Sequence, residues 1–350
     1  MKKRITNSLR SAALLLVSLL LILPPTEMAA WARPVIEQPR MVLPGGDVFG
    51  VELHTRGVLV VGTSSVDCPG EDFSPAEQAG VRAGDILLSI NGKEVSSVAT
   101  VVDLVADSQG KSMRVGLQRQ GKPKELLLTP AKSESESSWK AGIWIRDNTA
   151  GIGTVTYYLP ETGSFSGLGH GICDSDTGVL MPLSRGSVMN VKISSIRKGA
   201  KGAPGELKGY FCGGKIGSLL GNTKSGVYGI LAEMPAYNKQ DLIAVASVGE
   251  IREGAVTIRC TLDDSGIHEY KAKIVKLCGG DKDGKNFVLE VTDPALLEKT
   301  GGIVQGMSGS PVIQNGKLVG AVTHVLLDDP TRGYGILIEN VLAKMPENIG

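Results

Sequence analysis

Gly306-Met307-Ser308-Gly309-Ser310-Pro311 is the stretch on which the reading of this chain turns. It follows Gly301-Gly302 and precedes an Asn315-Gly316 hairpin signal, so it reads as a tight turn entering a strand. A serine with small neighbours is open to an approaching carbonyl. The same turn aims the backbone N–H groups of Gly306 and Ser308 at one point, where a negatively charged oxygen can be held. A Gly-x-Ser-x-Gly elbow is excluded, because position 310 is Ser. From Trp139 onward the chain is almost wholly short runs of strand character between Gly-rich turns, for example residues 153–158, 188–196, 255–260, 268–276 and 318–324. So many strands in about 210 residues predict a sandwich or a pair of barrels.

A serine hydroxyl is a poor nucleophile at neutral pH and needs a base. The chain has four histidines. His54 lies far from the serine in an upstream segment, His268 sits on a strand beside Asp263-Asp264, and His324 ends the strand after the serine turn, where it can line a specificity cleft. His170, in Gly167-Leu168-Gly169-His170-Gly171-Ile172-Cys173-Asp174, precedes Ser308 by 138 positions. That separation suits a base on one barrel and a nucleophile on the next. A carboxylate that orients the imidazole would come from Asp174, Asp176, Asp241, Asp263, Asp264, Asp281, Asp283 or Asp293, and spacing does not choose among them. Asp174 and Asp176 are close enough to His170 for local turn hydrogen bonds.

Working upstream, Ser74-Pro75-Ala76-Glu77-Gln78-Ala79-Gly80 has a cap, a proline in the first turn and a stopping glycine, which predict a short helix. Val81 to Lys93 then reads as turn, strand and Asn91-Gly92 hairpin, and Val98, Val101, Val102 and Val105 fall at helical spacing. This order resembles a PDZ domain over residues 44–131. The resemblance implies an extended peptide added at a sheet edge, its terminal carboxylate held by backbone N–H groups. The matching loop is Asp47-Val48-Phe49-Gly50-Val51, which places peptide binding at Phe49, Gly50 and Val51. A PDZ fold used only as a spacer is the alternative. Residues 132–138 are polar and form a linker, leaving 139–350 for the second domain.

Lys2, Lys3, Arg4 and Arg10 precede an uncharged apolar run from Ser11 to Leu23. A basic flank before an apolar run is an export pattern, and residues 1–32 read either as a cleaved signal, with Ala30-Trp31-Ala32 as the cut, or as a retained anchor; 33–43 is a linker. The body of the chain is thus expected outside the cytoplasm. The net charge of +1 leaves no electrostatic footprint for nucleic acid. Five cysteines without a C-x-x-C pair leave at least one thiol unpaired, and His170 with Cys173 lacks the second ligand pair a zinc site needs. No metal or organic cofactor is implied.

The six-residue serine turn resembles the nucleophile turn of the trypsin-like superfamily, Gly-Asp-Ser-Gly-Gly-Pro, with Met307 and Ser310 as departures. Together with residues 142–147, 151–156, 168–172, 302–311 and 320–325, and with the leader and PDZ-like unit in the same order, the chain resembles the stage IV sporulation protein B peptidase family. That resemblance implies a chymotrypsin-like double β-barrel after the PDZ domain, and a catalytic set of His170, Asp293 and Ser308, Asp293 coming 15 residues before the serine. It further implies an exported, initially membrane-anchored peptidase of the forespore intermembrane space. Such a peptidase cleaves itself and then cuts a regulator of a membrane metalloprotease, which triggers processing of pro-sigma-K. Residues 34–43 are the candidate self-cleavage stretch. Two rival readings are an exported quality-control protease of broad specificity and an inactive adaptor that keeps a protease-like domain, with Ser310 the substitute nucleophile if Ser308 is not the one.

Overall fold

The structure, a computed structural model, describes residues 40–279 and 284–345. The export segment, most of the linker after it, Asp281 and Asp283 lie outside the described residues. Among the described residues no helix is long and apolar enough to cross a membrane.

Two closed circuits of strands carry the fold. In the first, Val48–Thr63, Ile143–Leu159, Ser164–Gly167, Gly226–Leu231, Glu206–Thr223 and Leu183–Arg197 pair in turn, and the last returns to the first. Alternation decides what they bury: Phe49, Val51 and Leu53 point inward with Val155, Phe165, Val188 and Val227. Phe49 meets Phe165 edge to face, with ring centroids 5.6 Å apart. In the second circuit Gly254–Thr261, Ile267–Leu277, Phe287–Val291, Asp329–Leu337, Lys317–Leu326 and Pro311–Gln314 close in the same way. Ile258, Phe287, Leu289, Val312 and Val322 fill its core. The expected double barrel is what the pairing shows, and closure leaves neither sheet with a long free edge. The strand Met41–Pro44 joins the two, pairing Met41 and Val42 with Ala244 and Ile243, then Leu43 and Pro44 with Tyr158 and Tyr157.

A third core gathers Val58, Val60, Ala76, Leu87, Ile90, Val101, Val105, Met113 and Val115. It belongs to the PDZ-like unit, with helices Pro75–Ala79 and Val98–Asp107. The predicted cap, Ser74, makes no side-chain bond to its helix, whereas at the second helix Ser97 Oγ accepts from Thr100 N–H at 3.1 Å. Asp85, 1% exposed, is held by both arms of Arg119 at 2.7 Å each.

The expected start of this unit at residue 44 is corrected. Strand Val48–Thr63 runs from one core into the next: Val48 to His54 pair with Thr154 to Asn148 in the first barrel, and only Leu59 to Thr63 pair with Arg146 to Ile143 beside the third core. The PDZ-like unit is therefore inserted within a pair of barrel strands rather than placed before the barrels. Phe49, Gly50 and Val51 fall with the barrel; Phe49 and Val51 are 2% and 3% exposed and face its interior. They cannot form a peptide-carboxylate loop, because their backbone is paired on both sides, to Gly153, Ile152 and Gly151 and to Asn190, Met189 and Val188.

Candidate active site

The serine turn is anchored at both ends of its own loop. Met307 is fully buried in the second barrel's core, and Gly306 and Gly309 take φ of +99° and +96°, a region glycine enters without steric cost. At Gly309 a Cβ would lie 2.0 Å from the Thr154 carbonyl oxygen, so the first barrel's backbone packs directly on the turn. Thr154 Oγ1 donates to the Gly306 carbonyl at 2.8 Å, Thr156 Oγ1 to the Gly309 carbonyl at 2.8 Å, and Thr154 N–H to the Ser308 carbonyl at 2.9 Å. One strand of the first barrel thus fixes the serine turn of the second.

The hairpin of strands Leu183–Arg197 and Glu206–Thr223 fixes the amides. Gln305 N–H donates to Gly205 at 2.9 Å and its carbonyl accepts from Leu207 N–H at 2.8 Å. In a trans planar peptide the N–H of Gly306 points opposite to that carbonyl, away from the hairpin. Among the described residues neither this N–H nor that of Ser308 meets a protein acceptor, and both residues line one cavity of about 400 Å³. This is the arrangement an oxyanion needs.

His170 lines the same cavity from the first barrel. It follows the strand Ser164–Gly167 through Leu168 and Gly169, both at positive φ (67° and 66°). Asn222 pins the loop, accepting from Ile172 N–H and donating to the Ile172 carbonyl, both at 2.8 Å. His170 Nδ1 lies 2.9 Å from the Gly171 carbonyl. A carbonyl only accepts, so Nδ1 carries the proton and Nε2 keeps its lone pair, the tautomer a general base requires. Burial lowers the pKa of His170, outweighing the opposite effect of its bond to Gly171, so the ring is neutral at pH 7. Ser308 Oγ donates to the Thr323 carbonyl at 2.9 Å, so in this pose the hydroxyl must turn away from Thr323 to be deprotonated.

His324 lines the same cavity, its ring centroid 5.1 Å from that of His170. Desolvation, then the fields of His170 and Lys285, push its pKa down to about 4. Ser310 is fully buried and unavailable as a substitute nucleophile.

The structure does not bring Asp293 to this cavity. It caps the helix Pro294–Thr300, its carboxylate accepting from Ala295 N–H at 3.0 Å, Leu296 N–H at 3.3 Å and Lys271 N–H at 3.1 Å. An aspartate before a proline in the first helical turn is engaged by the helix's own unpaired amides. The expected role of Asp293 in orienting His170 is corrected accordingly, and the acceptor at His170 Nδ1 is the Gly171 carbonyl. Asp174 makes the local turn bonds expected of it, to Thr177 and Asp176, and pairs with Arg146.

The peptide groove of the PDZ-like unit is also settled by pairing. Its edge strand, Val58 to Thr63, has Leu87 and Ile86 on one side and the chain's own residues 143–146 on the other. Ile143 and Ile145 pack on the unit's core, and Asp147 Oδ2 accepts from Val98 N–H at the start of the helix Val98–Asp107, at 2.8 Å. The position of an added peptide strand is filled in cis. Arg146, in that filling segment, binds Asp174 and Asp176 four and six residues after His170. Sequence reasoning missed Thr154, Thr156, Asn222 and Arg146; the one usable signal was the i, i+2 pair of threonines, which puts both hydroxyls on one face of a strand.

Parts of the chain are similar to known proteins. The chain is 41% identical over 66 residues to the periplasmic pH-dependent serine endoprotease DegQ of Escherichia coli (strain K12), covering 19% of this chain and 14% of that one. It is 34% identical over 93 residues to the putative zinc metalloprotease LL2128 of Lactococcus lactis, covering 27% and 21%. The chain thus spans about a fifth or less of these relatives' length. A protease of Mycobacterium tuberculosis in its active form aligns at 14% identity and a TM-score of 0.34, covering 58% of this chain and 78% of that one. The PDZ domain of the SdrC-like protein of Listeria monocytogenes aligns at 21% and 0.22, covering 26% and 87%. Residues 67–119 match the PDZ domain family. Residues 137–342, more than half of the chain, match the family described as SpoIVB peptidase S55, and the chain is a serine peptidase belonging to that family.

Proposed function

We propose that Ser308 is the nucleophile and His170 the general base of a signalling endopeptidase that acts outside the cytoplasm during endospore formation. In this reading the chain cleaves itself and then cuts a regulator of a membrane metalloprotease, which triggers pro-sigma-K processing. Family membership supports the biological setting. The observation that carries the chemistry is that Ser308, His170 and the Gly306 amide line one cavity although they come from two barrels.

His170 Nε2 takes the Ser308 proton as Oγ attacks a peptide carbonyl carbon. The carbonyl π electrons move to oxygen, and the N–H groups of Gly306 and Ser308 hold that oxyanion. On collapse the C–N bond breaks and the imidazolium protonates the departing amine. Water, deprotonated by the same imidazole, then releases the acyl group from Ser308. The Gly171 carbonyl holds the base in the working tautomer and partly offsets the ring's positive charge.

The test uses the purified full chain with casein, with candidate regulator ectodomains, and with a peptide of residues 33–43. Cleavage at one or two sites in the ectodomain and in the peptide, sparing casein and lost in Ser308→Ala, supports a signalling peptidase. Broad degradation of casein replaces it with the quality-control reading. Activity retained by Ser308→Ala defeats the assignment of the nucleophile.

A further inference from the structure

We propose that Arg146 is a positioning residue for the peptidase reaction: its guanidinium clamps Asp174 and Asp176 and so holds in place the short hairpin that follows His170. The inference rests on the reading of Ser308 and His170 given above and deepens it, by naming a residue outside the cavity on which the base depends.

Between His170 and Asp174 the chain is stiff. A Cβ on Gly171 would lie 2.3 Å from Leu180 Cδ1 and 2.7 Å from the Thr223 carbonyl oxygen, so the backbone that gives His170 Nδ1 its acceptor lies tight on its neighbours. From there Ile172, Cys173 and Asp174 run antiparallel to Val179, Leu180 and Met181. Met181 N–H donates to the Ile172 carbonyl at 3.0 Å, Cys173 bridges to Leu180, and Asp174 N–H donates to the Val179 carbonyl at 2.9 Å. A shift at Asp174 therefore carries to the Gly171 carbonyl and the imidazole it holds.

Asp174 is 3% exposed. One of its carboxylate oxygens accepts from the N–H groups of Asp176 and Thr177 at 3.1 and 2.9 Å and from Thr177 Oγ1 at 2.8 Å, all within its own turn. The other oxygen accepts from Arg146 Nη1, while Arg146 Nη2 donates to Asp176 Oδ2 at 2.9 Å. Bonds within the turn set its shape, and the cation arriving from another strand sets its place. A guanidinium fork reaches two carboxylates at once, which an ammonium does with far less geometric control. Arg146 is itself well fixed. It pairs with Leu59, Ile145 beside it packs on the core of the PDZ-like unit, and Asp147 accepts from Val98 N–H at 2.8 Å through Oδ2 and from Thr55 Oγ1 at 3.1 Å through its carbonyl. The same unit meets the hairpin at Gly84, where a Cβ would lie 3.3 Å from Val179 Cγ2.

The experiment follows the rate of Ser308 labelling against fluorophosphonate concentration in the purified full chain, in Arg146→Gln, in Arg146→Lys and in the double variant Arg146→Gln with Asp174→Asn. All are compared well below the lowest melting midpoint. The saturating rate reports the base, and the half-saturating concentration reports binding. Arg146→Gln should lower the saturating rate about ten-fold or more, with the half-saturating concentration nearly unchanged, as a displaced catalytic group does. Arg146→Lys should fall between, because it keeps the charge without the fork. The double variant no longer buries an unpaired charge, so its midpoint should recover toward that of the unaltered chain while its labelling stays slow. Recovery of midpoint and rate together makes the ion pair merely structural and overturns the proposal. So does a folded Arg146→Gln that labels at the unaltered rate, or one in which only the half-saturating concentration changes. If neither glutamine variant folds, Arg146→Lys decides: a saturating rate lowered about three-fold or more supports the proposal, whereas an unaltered rate or an unfolded chain overturns it. A folded, unaltered chain that takes no label removes the assignment of Ser308 and His170 instead, whatever the variants do.

Discussion

Two strand edges in this molecule are suited to receive an extended peptide, and they differ in what lies beside them. The edge at residues 58–63, in the PDZ-like unit, is taken by the chain's own residues 143–146. The edge at His324 and Val325, beside Ser308, faces a cavity. The first is closed by apolar side chains, Ile143 and Ile145, and by a carboxylate on a helix N-terminus, Asp147. The contrast teaches that a recognisable binding fold need not present a vacant binding edge, because main-chain pairing is satisfied equally well in cis. The two regions are also joined: Arg146 leaves the filled edge and pairs with Asp174 and Asp176 in the loop that carries His170.

The largest effect expected on the open side comes from His170, the proposed base. His170→Ala should lower kcat/KM by about a thousand-fold or more, because the serine then lacks a proton acceptor. It should leave the thermal unfolding midpoint nearly unchanged, and steady-state cleavage of the residue 33–43 peptide with a melting curve reads both. On the filled side, replacing Ile143 and Ile145 together by serine should destabilise the chain by about 2–4 kcal/mol, in line with loss of two part-buried aliphatic groups, measured by urea unfolding. The same variant should gain binding of a synthetic peptide of residues 142–147, followed by fluorescence anisotropy, whereas the unaltered chain should not bind it. Binding of equal strength by both proteins would break the contrast between the edges.

Asp293→Ala sharpens the account of the site's boundary. Loss of the cap should cost about 1 kcal/mol of stability. The pH profile of kcat/KM should keep its shape, which an orienting carboxylate lost from the imidazole would not allow. The smallest effects concern pH. Burial holds His170 below its ordinary pKa, so the acid limb of kcat/KM should lie below pH 6.5. His324, lowered to about 4, binds protons more readily in the unfolded chain. Its contribution to stability is therefore present above pH 6.5 and fades as the pH falls toward about 4. Urea midpoints at pH 7.5 and 5 should diverge less in His324→Asn than in the unaltered chain.

Much of this architecture could be read from the residues. The turn at Ser308 needs glycines where the backbone takes positive φ, and those glycines are visible in the string. The helix Pro75–Ala79 announces itself by Pro75 and Gly80. What misled was Val48–Thr63, a single strand that serves two cores: Phe49, Val51 and Leu53 face the first from odd positions, and Val58 and Val60 face the other from even ones, the register shifting between His54 and Leu59. A period of two says which face is apolar and nothing about which core receives it. Asp293 carried a readable local signal, Asp before Pro at a helix start, that the resemblance to a family outweighed. That His170 and Ser308 line one cavity depends on how two barrels pack, held by Thr154 and Thr156, and no local pattern encodes that.

The most direct measurement is to label the purified chain with a fluorophosphonate, digest it and locate the adduct by mass spectrometry. The account predicts one modified residue, Ser308, with modification abolished in His170→Ala and preserved in Asp293→Ala. Modification of another serine, or labelling of Ser308 that persists without His170, would contradict it.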